Sequence, residues 1–252
     1  MADLKEYLDF AVDAVRGTGL LDEDRTAIRR YKGGQDPVTE GDLYVEERIV
    51  GLIKQKYPDH GIISEESGGE GGDAEYVWVL DPIDGTKYYA RGVPLYSISL
   101  ALRHEGEEVV GAIYSPAQDR LYAASRGGGA TMNGEPIVCS SAGDLSSCTI
   151  FAEIPGSDSE PDEVCRALDD LRTLIAAAFR VRILGAGALG FCFLAAGGID
   201  VYANLGSIWK EWDIAAGKII AREAGARFVP LGGGFLAAPD PLLDTVLDLL
   251  KC

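Results

Sequence analysis

The segment YVWVLDPIDGTK, residues 76–87, constrains the fold more tightly than any other part of the chain. Its opening run, Tyr76–Val79, reads as a buried strand that delivers Asp81 to the strand end. Pro82 prevents helical continuation, so Asp84 turns back toward the same side. Gly85 and Thr86 then open the next element with free backbone N–H groups. Two carboxylates on a rigid strand end, beside an anion-binding helix start, are what metal-bridged phosphate chemistry needs. The bare pattern D-x-x-D-G also occurs in Asx-type turns and calcium loops, so the segment alone leaves a purely structural reading open.

Other acids occupy comparable places. ISEES puts Glu65 and Glu66 directly after a short apolar strand, where carboxylates commonly ligate. PVTEGD puts Asp42 at a helix start just after Thr39, and WDIAAG puts Asp213 at another; each is also explained as an N-cap. Acidic residues outnumber basic ones by 40 to 23, a formal charge of −17, with no lysine–arginine stripe to neutralise a nucleic acid. An acidic chain that handles phosphate needs local positive charge, and bound magnesium, which prefers hard oxygen ligands, supplies it. Five cysteines without a CxxC spacing and only two histidines, His60 and His104, argue against a zinc site. No apolar run reaches the roughly 18 residues that span a bilayer. The N-terminus MADLKEYLDFAVDAVR lacks the basic region and cleavage site of a secretory signal. Cytoplasmic location is the expectation, with no membrane partner.

Helix and strand signals alternate along the chain. Leu4, Tyr7, Leu8, Ala11, Val12 and Val15 form one stripe of an N-terminal helix. A polar, glycine-bearing stretch, RRYKGGQDPVTEGD, leads into a helix over about 42–57. Short strands follow near 61–64 and 76–80, and LYSISLALR, VVGAIYS and RLYAAS read as three adjacent strands. The second half reads as strand CTIFAEI, a helix over 161–178, strand RVRIL and a small-residue helix over about 186–196. Strand IDVYA, helix DIAAGKIIAREAG, strand ARFVP and a C-terminal helix complete it. This order predicts a layered α/β protein of two subdomains, residues 1–145 with most of the acids and residues 146–252 with Asp213.

DPVTEGD, SEES, DPIDGT and EWDIAAG, in this order, resemble the inositol monophosphatase family of metal-dependent phosphatases, over nearly the whole chain. The resemblance implies an αβαβα sandwich of the sugar-phosphatase type, a homodimer, two or three Mg2+ ions per active site and sensitivity to lithium. It assigns Glu65, Asp81 and the main-chain carbonyl of Ile83 to a first metal, and Asp81, Asp84 and Asp213 to a second. By the same resemblance Glu65 would help with a third through waters, and Asp42 with Thr86 would position and deprotonate the attacking water. The resemblance also implies that the N–H groups of Gly85 and Thr86 cradle the phosphate, while Asp84, Asp213, Gly185 and Ala186 border the substrate. A slow reaction such as phosphate-monoester hydrolysis demands large transition-state stabilisation, which paired metals provide. A cluster of four or five carboxylates repels itself strongly without cations, so metal binding becomes a requirement.

Single positions rank the substrates. Inositol-specific members carry an acid where IDVYANLG offers Asn204. GSIWKEWD is longer than in those enzymes and resembles archaeal-type members that accept inositol phosphates and fructose 1,6-bisphosphate. Lys87 resembles the 3′-phosphoadenosine 5′-phosphate branch, and DGTK with RGVP resembles histidinol-phosphate phosphatases. Lys87 or Arg91 meets a second phosphate or is a solvated cation; Arg182 is a further candidate contact. Trp209 and Trp212 are expected in the core or an interface. An inositol or sugar phosphate therefore ranks first, adenosine bisphosphate second and histidinol phosphate third. RILGAGALG carries a rival reading: Gly185, Gly187 and Gly190 form a GxGxxG, with Glu211 about twenty residues on, as in a dinucleotide-dependent oxidoreductase. No catalytic histidine, lysine or tyrosine constellation accompanies it.

Overall fold

Successive residues of the central strands face two different cores, and this alternation stacks the elements in layers. The computed structural model describes residues 4–20, 24–32, 36–156, 159–206 and 209–250; the start of the predicted N-terminal helix, part of GSIWKEWD and Cys252 lie outside them. The first half comprises α1 (Leu4–Arg16), β1 (Ile28–Lys32), β2 (Asp36–Thr39), α2 (Glu40–Lys56), β3 (Gly61–Ser64), β4 (Gly68–Glu70), β5 (Tyr76–Asp84) and α3 (Thr86–Tyr89). It continues with β6 (Ser97–His104), β7 (Glu107–Ser115), β8 (Arg120–Ser125), β9 (Gly129–Met132) and β10 (Glu135–Ile137). The second half comprises β11 (Thr149–Glu153), α4 (Pro161–Ala177), β12 (Arg180–Arg182), α5 (Gly187–Ala195), β13 (Val201–Asn204), α6 (Glu211–Glu223), β14 (Arg227–Leu231), β15 (Gly234–Ala238) and α7 (Asp240–Leu250).

One sheet runs β10-β9-β8-β7-β6-β5-β3-β4, and a second runs β12-β11-β13-β15-β14. In the first, Trp78, Leu80, Ile98, Leu100 and Leu102 share a core with Ala11, Val15, Val45 and Ile49 of α1 and α2. The intervening Val79, Ala101 and Ile113 share another with Ala188, Cys192, Ala216 and Ile220 of α5 and α6. The second sheet gives Phe151, Tyr202 and Phe235 to Phe191 and Ile214 on those same helices. Its opposite face gives Ile150, Val201 and Leu236 to Leu171, Leu174, Leu242 and Val246 of α4 and α7. The layers are therefore α1/α2, sheet, α5/α6, sheet, α4/α7, the αβαβα sandwich that the resemblance implies. α5 is buried on nearly every residue because it is covered by sheets on both sides, which explains its lack of a polar face.

Several expectations need correction. The polar stretch before α2 holds the antiparallel pair β1–β2. α2 starts at Glu40 with Thr39 as its N-cap, and α6 starts at Glu211, so Asp42 and Asp213 are third residues of their helices rather than N-caps. β5 continues through Pro82 to Asp84, where its register with β6 shifts between Asp81 and Asp84; a bulge tolerates the missing proline N–H. β15 forms from GFLAA, which carries no β-branched residue to announce it.

β7 approaches α6 closely enough that a Cβ on Gly111 would lie 2.7 Å from the Ala216 carbonyl oxygen. Gly111→Val is therefore expected to cost about 3 kcal/mol through overpacking, read by urea unfolding. A loss below ~1 kcal/mol would show that the helix layer is not seated as described.

Candidate active site

The parallel pairs β3/β5 and β11/β13 end at the same place, and the starts of α2, α5 and α6 converge there. The Glu65 N–H donates to the Leu80 carbonyl oxygen at 3.3 Å, which seats Glu65 beside Asp81. Asp81 is 2 % exposed, and its Oδ1 is buried without a hydrogen-bond partner among the described residues. Burial, then the charges of Glu65, Asp84 and Asp213, push its carboxyl well above the ordinary range. Asp84 is raised to about 8 by burial and Asp213; its Oδ2 accepts from the Ala188 N–H at 3.0 Å, at the start of α5. Asp213 is raised to about 6 by burial and is held by the Lys210 N–H at 2.5 Å. Burial also raises Glu65, opposed by Lys32, whose Nζ lies 2.7 Å from both Glu65 Oε1 and Glu66 Oε1.

Four acids that resist ionisation around one space form a donor set that favours a hard divalent cation. The orphaned Asp81 oxygen and the Ile83 carbonyl fit that role as well. Among the described residues no three acidic, histidine or cysteine side chains are yet drawn together closely enough to hold an ion. Lys32 engages Glu65 instead.

Asp42 is fully buried, and its Oδ2 accepts from the backbone N–H of Thr39 at 2.8 Å, closing a capping box. That fixes Oδ1 toward Thr86, whose Oγ1 lies 3.0 Å away and 2.8 Å from the Ile83 carbonyl oxygen. One hydroxyl proton serves only one of these acceptors at a time. Burial raises Asp42 to about 6, against hydrogen bonds from Thr39 and Thr86 that lower it. Gly85 has φ of 84°, and a Cβ there would lie 2.6 Å from the Leu95 carbonyl oxygen, so only glycine lets the chain turn from Asp84 into Thr86.

A cavity of about 460 Å³ is lined by Glu65, Asp81, Ile83, Asp84, Gly85, Thr86, Lys87, Gly185 and Asp213. Asn204 instead lines an adjoining cavity of about 230 Å³, together with Trp209, which is thus not simply a core residue. Ala186 is buried, and its N–H serves the Glu153 carboxylate. Arg182 lines neither cavity: it is exposed on the edge strand β12, and its Nη1 turns back to the Val181 carbonyl. The dinucleotide reading also fails on geometry. Glu211 pairs with Arg103, Gly190 packs on Tyr202 and Phe151, and α5 lies between two sheets rather than beside an open crevice.

Sequence reasoning passed over Asp36, Tyr88 and Glu153, which line these cavities, and Lys32. The signal for Glu153 was the one that picked out Glu65, an acid closing an apolar strand, in FAEI.

The sequence pattern of the Inositol monophosphatase family matches residues 3–248. A Nus factor SuhB of Pasteurella multocida is 38 % identical over 240 residues, covering 92 % of this chain and 87 % of that protein. A fructose-1,6-bisphosphatase/inositol-1-monophosphatase of Aquifex aeolicus is 33 % identical over 261 residues, covering 100 % of this chain and 97 % of its own. The crystal structure of the extragenic suppressor protein suhB from Bartonella henselae superposes with a TM-score of 0.89 at 28 % identity, over 98 % of both chains. With the layering, the acids and the Asp42–Thr86 pair in place, the chain belongs to the inositol monophosphatase family of phosphomonoesterases.

Proposed function

We propose that this chain hydrolyses a small polyol or sugar phosphate, inositol monophosphate and fructose 1,6-bisphosphate being the leading substrates, with two or three Mg2+ ions per site. The observation that carries it is the Asp42–Thr86 hydrogen bond at the edge of a cavity walled by Glu65, Asp81, Asp84 and Asp213, of which Asp81 is buried and the others are half-buried. Glu65, Asp81, Asp84, Asp213 and the Ile83 carbonyl would hold the magnesium, with Lys32 giving up its contact to Glu65. Magnesium so held would supply Lewis-acid charge to the phosphoryl oxygens and to water beside them.

The remaining work falls to the chain itself. Thr86 donates its proton to Asp42, which leaves its oxygen lone pair facing the cavity to accept from a water. Asp42, held near 6 by burial, receives the proton in a range suited to general-base work near neutrality. The water oxygen bonds to phosphorus, the bond to the ester oxygen breaks, and its electron pair leaves with the alcohol oxygen, which takes up a proton from solvent water, while Asp42 later returns its proton to solvent. The N–H groups of Gly85 and Thr86 orient the phosphate. Lys87 and Arg91 add cationic groups to the cavity wall, where a second phosphate of a bisphosphate would be met.

Phosphate release is to be measured with magnesium on inositol 1-phosphate, fructose 1,6-bisphosphate, 3′-phosphoadenosine 5′-phosphate and histidinol phosphate, each repeated with EDTA. Turnover of one of the first two, lost with EDTA, is expected. Magnesium-dependent release confined to either of the last two would reassign the substrate, and release from none would reject the reading.

Thr86→Ala is expected to lower kcat roughly 100-fold with KM changed less than threefold, since the hydroxyl acts on the water rather than on bound ester. An unchanged kcat removes Thr86 from the mechanism.

Magnesium must displace protons from Asp84, held to about 8, and Asp213, held to about 6. Raised carboxyl values mean protons are bound below those pH values and compete with the ion, so affinity rises as pH rises between 6 and 8.5. Calorimetry should show roughly tenfold tighter binding at pH 8.5 than at 6.5. Equal affinities would contradict the ligand assignment.

A further inference from the structure

The smaller cavity shares Asp84, Gly185 and Asp213 with the larger one, so a phosphoryl group held at the acids sits where the two meet. Thr86 borders only the first; Glu153, Tyr202, Asn204 and Trp209 border only the second. In-line displacement places attacking and leaving oxygens on opposite sides of phosphorus. With water delivered from Thr86, the alcohol departs toward the second cavity, an argument that rests on the phosphatase reading above.

Glu153 is the group in that cavity that the mechanism leaves unused. It closes β11 in register with Asn204 on the parallel β13, so both side chains stand at the carboxyl ends of adjacent strands. Its Oε1 is buried without a hydrogen-bond partner among the described residues, although the carboxylate is held by the Ala186 N–H. A buried oxygen left without a donor is destabilising, and more so when charged. A fold that retains such a group at the wall of a cavity leaves a place for a donor carried by a ligand. Phosphate brings no such donor when ionised, and Glu153 would repel it. A hydroxyl does: it donates its proton to the carboxylate, while Trp209, Ile214 and Phe235 offer apolar surface to the C–H edges of a ring. Asn204 already accepts from the Gly206 N–H at 3.2 Å, so the side-chain oxygen left to accept here is Oε1 of Glu153.

We propose that Glu153 accepts a hydrogen bond from a hydroxyl of the departing alcohol and so selects phosphate esters of polyols.

The test compares inositol 1-phosphate with p-nitrophenyl phosphate, whose leaving group has no further hydroxyl. In Glu153→Gln the ratio of their kcat/KM values is expected to fall roughly 10- to 100-fold in favour of the aryl ester. The double variant Glu153→Gln with Asn204→Glu, which moves the acid across the register, should recover part of that loss. Thermal melts of both variants establish folding. A ratio within twofold of wild type in Glu153→Gln, including equal losses on both esters, overturns the proposal. Failure of the wild-type protein to hydrolyse any ester would instead overturn the phosphatase reading. Calorimetric binding of inositol 1-phosphate then decides Glu153 separately: a fivefold or greater weakening in Glu153→Gln supports it, and unchanged binding overturns it.

Discussion

Mutual repulsion among Glu65, Asp81, Asp84 and Asp213 is the constraint around which the rest of the chain is arranged. Taking several carboxylates out of water in one place is unfavourable, and charge of one sign makes it worse. The fold answers with fixed backbone dipoles. α5 offers its Ala188 N–H to Asp84, and the start of α6 offers the Lys210 N–H to Asp213. Helix starts carry partial positive charge, so their convergence on this point is electrostatically matched to the acids they face. Those same helices fill the layer between the two sheets. The packing that forms the core is therefore what aims the dipoles at the site.

Asp42 and Asp213 use one device twice. Each is the third residue of its helix, and each reaches back with Oδ2 to the backbone N–H just before the helix. The bond satisfies an orphan donor and pins the carboxylate, leaving the second oxygen for chemistry. The side chains that cap these two helix starts are thus the same ones that the proposed mechanism uses. Asp81 differs. Its buried Oδ1 has no partner among the described residues, so in the protein alone it is a cost to stability whose return comes only through a ligand.

How much of this was legible depended on whether the signal was local. DPIDGT, SEES and EWDIAAG each place an acid at an element end within a few residues, and the alternating helix and strand patterns predict a layered α/β protein, while the αβαβα order of the layers comes from the family resemblance those motifs carry. The β1–β2 hairpin was not legible because its residues are mostly polar and show no apolar alternation. Glu153 was a lone acid whose significance depends on Asn204, 51 residues away and brought alongside only by strand pairing. Arg182 failed for the converse reason. It precedes the glycine-rich turn, yet β12 is an edge strand, and tertiary placement turns its side chain away from both cavities.

Net charge of −17 makes capture of an anionic ester unfavourable at long range, so cations near the site matter more than their number suggests. Lys32 reaches the acids from the end of β1. Burial works against its charge, but Glu65 and Glu66 more than offset that and keep it cationic. A divalent ion held as proposed above would compete with Lys32 for Glu65, and by linkage would loosen the hold of β1 on the site. Glu66 separates these two effects. It is contacted by Arg30 at 3.0 Å as well as by Lys32, so β1 keeps an anchor when Lys32 lets go of Glu65. Two adjacent acids, Glu65 facing the cavity and Glu66 tied to β1, would on that proposal let the cation at the site be exchanged while β1 stays anchored.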